Sequence, residues 1–315
     1  MTTIVTGSAG FVGRTLVRTL LDAGETVVGI DRAPEPPQPG LTSLTADLVD
    51  RDDATMTALA TADRVFHLAG CPGVRDARAD VDTRRHRDNV LSTAVVLSAV
   101  PAATPLVLAS SSSVYGGARH GRPSAETDPV RPRGGYAASK VAAERLCRAR
   151  LDRGGELVVT RLFTVAGEGQ RPDMALSQWI EAARAGRPLR LLGSASRTRD
   201  VTDVREAARA LVALTERGAR GAVNVGTGVG HTLRAMVQAV AAALDVDVRT
   251  YRDPADPVEV TDTLADTRTL TAWLGWTPET DLPALVARQV AAGTPSPSVA
   301  PHPAVSAGSP LLAGT

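Results

Sequence analysis

The sequence predicts an α/β protein, a doubly wound parallel sheet followed by a smaller C-terminal α/β domain. Three observations carry that expectation. Short apolar runs alternate with longer segments of helical period from the first residue onward, the pattern of strands buried on both faces and joined by helices. A glycine triplet lies between the first apolar run and the first helical segment. The alternation loosens after about residue 166, where a second unit begins.

Thr2–Thr6 reads as a short buried strand. Residues 11–23 read as a helix with Phe11, Val12, Leu16, Leu20 and Leu21 near one face, closed by Gly24. Strands are expected at 25–31, 41–46, 64–69, 106–110 and 156–162, with helices at 82–100 and 136–153. Beyond them, helices are expected at 173–185, Val204–Glu216, 232–244 and Leu282–Ala292, and strands at 222–225 and 246–251. The expected division is a first domain of residues 1–166, to which 201–228 return, and a second of 167–200 and 229–292. Residues 293–315 are Pro, Ser, Ala and Gly with almost no charge and read as a disordered tail. Trp179, Trp273 and Trp276 are expected to pack the smaller domain.

Composition excludes several classes of partner. Lys plus Arg number 35 against 34 Asp plus Glu, so no basic field exists for nucleic acid or for a membrane surface. No apolar run reaches the roughly 18 residues of a membrane span, and the N-terminus lacks the features of a signal peptide; a cytoplasmic protein is expected. Cys71 and Cys147 form no Cys-x-x-Cys pair, and the histidines have no ligand spacing, so no metal site is expected.

The glycine loop is Gly7-Ser8-Ala9-Gly10-Phe11-Val12-Gly13. The first glycine permits a tight turn, the second lets backbone approach a pyrophosphate, and the third lets helix and strand pack closely. The N–H groups of the following helix then face the phosphates. Asp31 closes the second strand, where a carboxylate can accept from ribose hydroxyls and repel a 2′-phosphate. NAD is therefore expected over NADP, although Arg32 beside it brings a guanidinium suited to such a phosphate. Two further segments stand out: the run Ser110-Ser111-Ser112-Ser113-Val114-Tyr115-Gly116, and Tyr136-Ala137-Ala138-Ser139-Lys140. Tyr136 and Lys140 are four apart and share a helix face. An ammonium nearby lowers a phenol's pKa, which makes Tyr136 a candidate general base. A serine run alone is commonly a turn bonding its own backbone.

Together these segments resemble the extended short-chain dehydrogenase/reductase family, whose dinucleotide domain is of the Rossmann type. The likeness extends through His67-Leu68-Ala69-Gly70, Asn89, Arg199-Asp200-Val201, Asn224-Val225-Gly226-Thr227-Gly228, Ala265-Asp266 and Leu274-Gly275-Trp276-Thr277-Pro278. The resemblance implies that Gly7, Gly10, Phe11, Val12, Gly13, Asp31, Arg32, Asp47, Leu48, Leu68, Ala69, Asn89, Tyr136 and Lys140 hold NAD. It implies Ser111 as the catalytic hydroxyl, Tyr136 as the base and Lys140 as its support. Family 4,6-dehydratases carry Thr-Asp-Glu from that hydroxyl onward, and decarboxylases a Glu two residues after it; Ser112 and Ser113 stand here instead. That serine run, the Pro72-Gly73-Val74-Arg75 loop, Thr164 and Gln170-Arg171-Pro172-Asp173-Met174 are similar to UDP-glucuronate 4-epimerases. The substrate is then expected to be a UDP-linked sugar held by Arg75, Ser111, Ser112, Ser113, Thr164, Arg171, Arg199 and Glu259, in a homodimer paired through the helices at 82–100 and 136–153. Ala166, Val201, Arg205-Glu206 and Asp256 depart from the family pattern, with Arg252 a nearby substitute for the arginine expected at 256. Two alternatives stay open: a 4-reductase, decarboxylase or dehydratase, and a non-catalytic NAD(H)-binding protein.

Overall fold

Aromatic residues make up only 3% of the chain, so the core is built mainly from Ala, Val and Leu side chains.

The computed structural model describes residues 1–73, 76, 78–119, 121–255 and 258–293. The first half runs β1 (Thr2–Thr6), α1 (Phe11–Asp22), β2 (Thr26–Asp31), β3 (Leu41–Thr45), α2 (Asp53–Ala60), β4 (Arg64–His67), α3 (Val81–Arg85), α4 (Ser92–Ala99), β5 (Leu106–Ser111), α5 (Gly134–Asp152) and β6 (Leu157–Leu162). The second half runs β7 (Thr164–Ala166), α6 (Ala175–Arg184), β8 (Leu189–Leu192), β9 (Thr198–Asp203), α7 (Val204–Glu216), β10 (Gly221–Val225), β11 (Gly230–Thr232), α8 (Leu233–Leu244), β12 (Thr250–Asp253), α9 (Arg268–Leu274) and α10 (Leu282–Ala292).

Seven strands form one parallel sheet in the order β10-β6-β5-β4-β1-β2-β3. Strand order reverses between β1 and β4, which opens a crevice at the carboxyl ends of those strands. Successive side chains of a strand point to opposite faces. Val5, Phe66, Val107 and Val158 accordingly join a core with Leu16, Leu20, Leu211 and Leu214 of α1 and α7. Ile4, Val65, Leu106 and Leu157 join a core on the other face with Leu59, Val96 and Cys147. A separate core gathers Leu176, Trp179, Ile180, Leu189, Val201, Met236, Val240 and Leu285 from the second half.

Several expectations need correction. The strand expected at 246–251 is Thr250–Asp253, and it pairs in parallel with β8, which the sequence did not predict. The two short strands support each other, so neither has a strong local signal. Helix α2, strands β7, β9 and β11, and helix α9 were likewise not predicted. The helix expected at 82–100 is interrupted by a π-helical segment, His86–Leu91, between α3 and α4. Trp179 packs the smaller core, but Trp273 and Trp276 pack against the main one, with Arg209 stacked 3.7 Å from the Trp276 ring. Gly293 follows α10, and the tail expectation for 294–315 lies outside the described residues.

One carboxylate ties the two halves together. Asp200 is fully buried on β9. It accepts from Thr227 N at 2.9 Å, Thr227 Oγ1 at 2.8 Å, Gly228 N at 3.0 Å and Ala265 N at 2.9 Å. Burial pushes its carboxyl above the ordinary range, and those donors pull it back. Asp200→Ala leaves these donors buried without an acceptor and should lower stability by about 3 kcal/mol or more. Urea denaturation measures this, and a loss below about 1 kcal/mol would contradict the assigned role.

Candidate active site

A cleft of about 560 Å³ lies at the carboxyl ends of the sheet strands and is lined from both halves of the chain. Its first part is the glycine loop. Gly7 has φ 72°, and a Cβ there would lie 2.6 Å from Ala69 N; a Cβ on Gly13 would lie 2.0 Å from Gly7 O. Only glycine fits such approaches. Helix α1 is preceded by Gly10, which brings no capping side chain, and has no acidic residue in its first turn, so its N–H groups remain open to an anion. Asp31 accepts from Ala9 N at 3.1 Å and Ala33 N at 2.9 Å, which fixes the loop against β2. Phe11, Val12, Asp47, Leu48, Leu68 and Ala69 line the same part of the cleft.

Arg32 is held by other groups. It bonds Asp88 at 3.3 and 3.1 Å and lies 3.7 Å from Asp47. Its charge is therefore largely answered within the protein. The glycine cradle, the open helix terminus and Asp31 fit a dinucleotide without a 2′-phosphate. Asn89 departs from expectation, because it is not among the residues lining the cleft. Its side chain accepts from Cys71 N at 2.8 Å and donates to Cys71 O at 3.1 Å and Ser139 Oγ at 2.8 Å. It braces the cleft wall from behind. His67 is buried between Thr6 and Thr93, and burial lowers it to about 3, so the ring stays neutral.

The second part holds Ser111, Tyr136 and Lys140. Burial pushes the Tyr136 phenol above its ordinary value; a hydrogen bond with Ser111 and the charges of Arg171 and Arg85 oppose the rise. The expectation that Lys140 lowers this phenol is thus corrected, since burial outweighs the favourable charges. Lys140 Nζ donates to Ala109 O at 2.9 Å, and burial lowers the ammonium to about 8. The serine run does bond its own backbone in part, with Ser111 Oγ accepting from Ser113 N at 3.2 Å. Ser112, Ser113 and Thr164 also line the cleft, and Ser113 Oγ is buried with no hydrogen-bond partner.

The candidate substrate arginines sit in the same cleft. Arg171 pairs with Asp173 at 2.8 and 2.6 Å. Arg199 bonds Glu259 at 3.1 Å and the carbonyls of Thr198, Val260 and Thr261. Glu259 lines the cleft beside it. Arg75 and Asp256 lie outside the described residues. Arg252 is exposed and does not line the cleft; Arg190 of β8 lines it instead, a residue that the alternation Leu189-Arg190-Leu191 could have indicated. Ala166 and Val201 are fully buried in the smaller core, so these departures concern packing. Arg205 pairs with Glu168, and Glu206 with Arg209, both away from the cleft. No group of three or more metal-ligating side chains occurs among the described residues.

A family model described as the NAD dependent epimerase/dehydratase family matches residues 3–226. A Bacillus subtilis protein named as an uncharacterized UDP-glucose epimerase, YtcB, is 32% identical over 232 residues, covering 68% of this chain and 72% of that protein. The structure of MoeE5 in complex with UDP-glucuronic acid and NAD is similar at TM-score 0.83 and 36% identity, covering 92% of this chain and 98% of that one. UDP-glucuronic acid 4-epimerase from Bacillus cereus, in complex with UDP-glucuronic acid and NAD, is similar at TM-score 0.86 and 26% identity, covering 93% and 98%.

Gly13→Ala should weaken dinucleotide binding about tenfold or more, because the new Cβ meets backbone. Titration calorimetry with NAD measures this; unchanged affinity would show that the loop is not the cradle.

Proposed function

Because the chain belongs to the NAD dependent epimerase/dehydratase family, we propose that it binds NAD and inverts carbon 4 of a nucleotide sugar, UDP-glucuronate to UDP-galacturonate, through a 4-keto intermediate. The glycine cradle, the open N-terminus of α1 and Asp31 would hold NAD, which would supply a reversible hydride acceptor and positive charge to the cleft. Tyr136 takes the proton of the 4-hydroxyl and later gives it back, with Ser111 hydrogen-bonded to the same oxygen. The sugar turns between the two events and presents its other face.

The observation that carries the substrate class is the set of hydroxyls beside Tyr136. Ser112, Ser113 and Thr164 line the same cleft as Tyr136, and serine and threonine hydroxyls can donate to a substrate oxygen. Arg171 adds a positive charge near the phenol. Hydroxyl donors and a guanidinium suit a sugar carboxylate. Held by them, the carboxylate keeps its C–C bond poorly aligned with the 4-ketone and resists loss of carbon dioxide. Ser112 and Ser113 stand where a dehydratase or decarboxylase would need acid–base residues.

Pairing of two copies through α3, α4 and α5 belongs to the same proposal. Leu91, at the end of the π-helical segment before α4, and Leu146 of α5 are exposed, at 41% and 36%. Replacing both with Glu should shift the protein toward monomer in sedimentation velocity; an unchanged species would count against this pairing.

Incubation with UDP-glucuronate and NAD should give UDP-galacturonate. Tyr136→Phe should lower turnover about 1,000-fold with the fold intact. Replacing Ser112, Ser113 and Thr164 together should raise the fraction of decarboxylated pentose product. A pentose as the main wild-type product, or an active Tyr136→Phe variant, would overturn the reading.

A further inference from the structure

Helix α5 carries Tyr136, Lys140 and Glu144 at four-residue spacing, which places them along one face. Strand β5 meets each of them. Tyr136 is hydrogen-bonded with Ser111, Lys140 donates to Ala109 O at 2.9 Å, and Ser110 donates to Glu144 at 2.5 Å. Arg161 grips Glu144 from β6, at 3.1 Å through Nε and 2.8 Å through Nη2. In the sheet register Ser110 lies beside Arg161, and Arg161 beside Asn224. Arg161 Nη1 also donates to the Tyr115 hydroxyl at 2.9 Å, and that hydroxyl donates to Asn224 at 2.7 Å. The Glu144 and Arg161 side chains are only 12% and 8% exposed. Burying an ion pair does not by itself favour folding, so its position one turn beyond Lys140 points to another role.

Lys140 is the single lysine of the chain; all its other basic side chains of this class are arginine. A compact ammonium whose proton affinity responds to burial differs in kind from a guanidinium. We propose that Glu144, clamped between Ser110 and Arg161 one turn beyond Lys140, is a positioning residue that sets the charge environment of Lys140 and holds the Ser111 end of β5 in register with Tyr136. The catalytic meaning of this rests on the proposed redox reaction.

Glu144 from α5 and Cys71 from the loop after β4 act on the Lys140 charge, Lys140 acts on His67 of β4, Asn89 of the π-helical segment meets it beside Gly70, and Tyr136 shares its face of α5 by spacing. Burial drives Lys140 down to about 8, and the charge of Glu144 is the largest influence that raises it. The ammonium is present below that pH and lost above it. In Glu144→Gln the attraction disappears while the Arg161 cation remains, so Lys140 should lose its proton at lower pH.

The test is NMR titration of the full chain labelled with 13C-lysine, where one side-chain signal reports Lys140. Glu144→Gln should lower the midpoint by about one pH unit or more, and Glu144→Gln with Arg161→Gln should lower it less. If the single variant does not fold, the double variant is read alone. A midpoint unmoved in the folded variants overturns the proposal. In parallel, the high-pH limb of UDP-glucuronate turnover should move with the midpoint. If wild type turns over no nucleotide sugar, the functional reading fails while the titration still judges Glu144.

Discussion

A parallel sheet covered on both faces leaves polar chemistry few places to go. Its side chains alternate between two apolar cores, so polar groups gather at the carboxyl ends of the strands. Strand order reverses between β1 and β4, and the connections part there. The glycine loop after β1, Asp31 at the end of β2, the Leu68–Ala69 segment after β4 and Ser111 at the end of β5 meet along one cleft for this reason.

Two carboxylates, one buried and one partly buried, organise the rest by different means. Asp200 is satisfied mainly by backbone N–H groups and joins β9 to the loop after β10 and to Ala265. Glu144 is satisfied by a guanidinium and a hydroxyl and joins α5 to β5 and β6. The first fixes how the second half meets the sheet. The second fixes the helix that carries Tyr136 and Lys140.

Local signals explain what was legible. The main sheet strands and α1 have strong apolar periodicity, and the glycine loop needs particular residues for steric reasons. The short strands β7, β8, β9, β11 and β12 lack that periodicity, because each depends on a partner distant in sequence. The roles of Asn89 and Arg32 were similarly hidden: one braces Cys71 and Ser139, and the other is held by Asp47 and Asp88. Neither partnership follows from residue spacing.

The sequence by itself determined the α/β class, the dinucleotide loop and the Tyr136–Lys140 spacing, since each depends on residues close together in the chain. Tertiary structure alone decided which charges are already paired, which hydroxyls are left buried without a partner and how strongly burial opposes ionisation of Tyr136. Those properties depend on packing between distant segments, which local pattern does not encode.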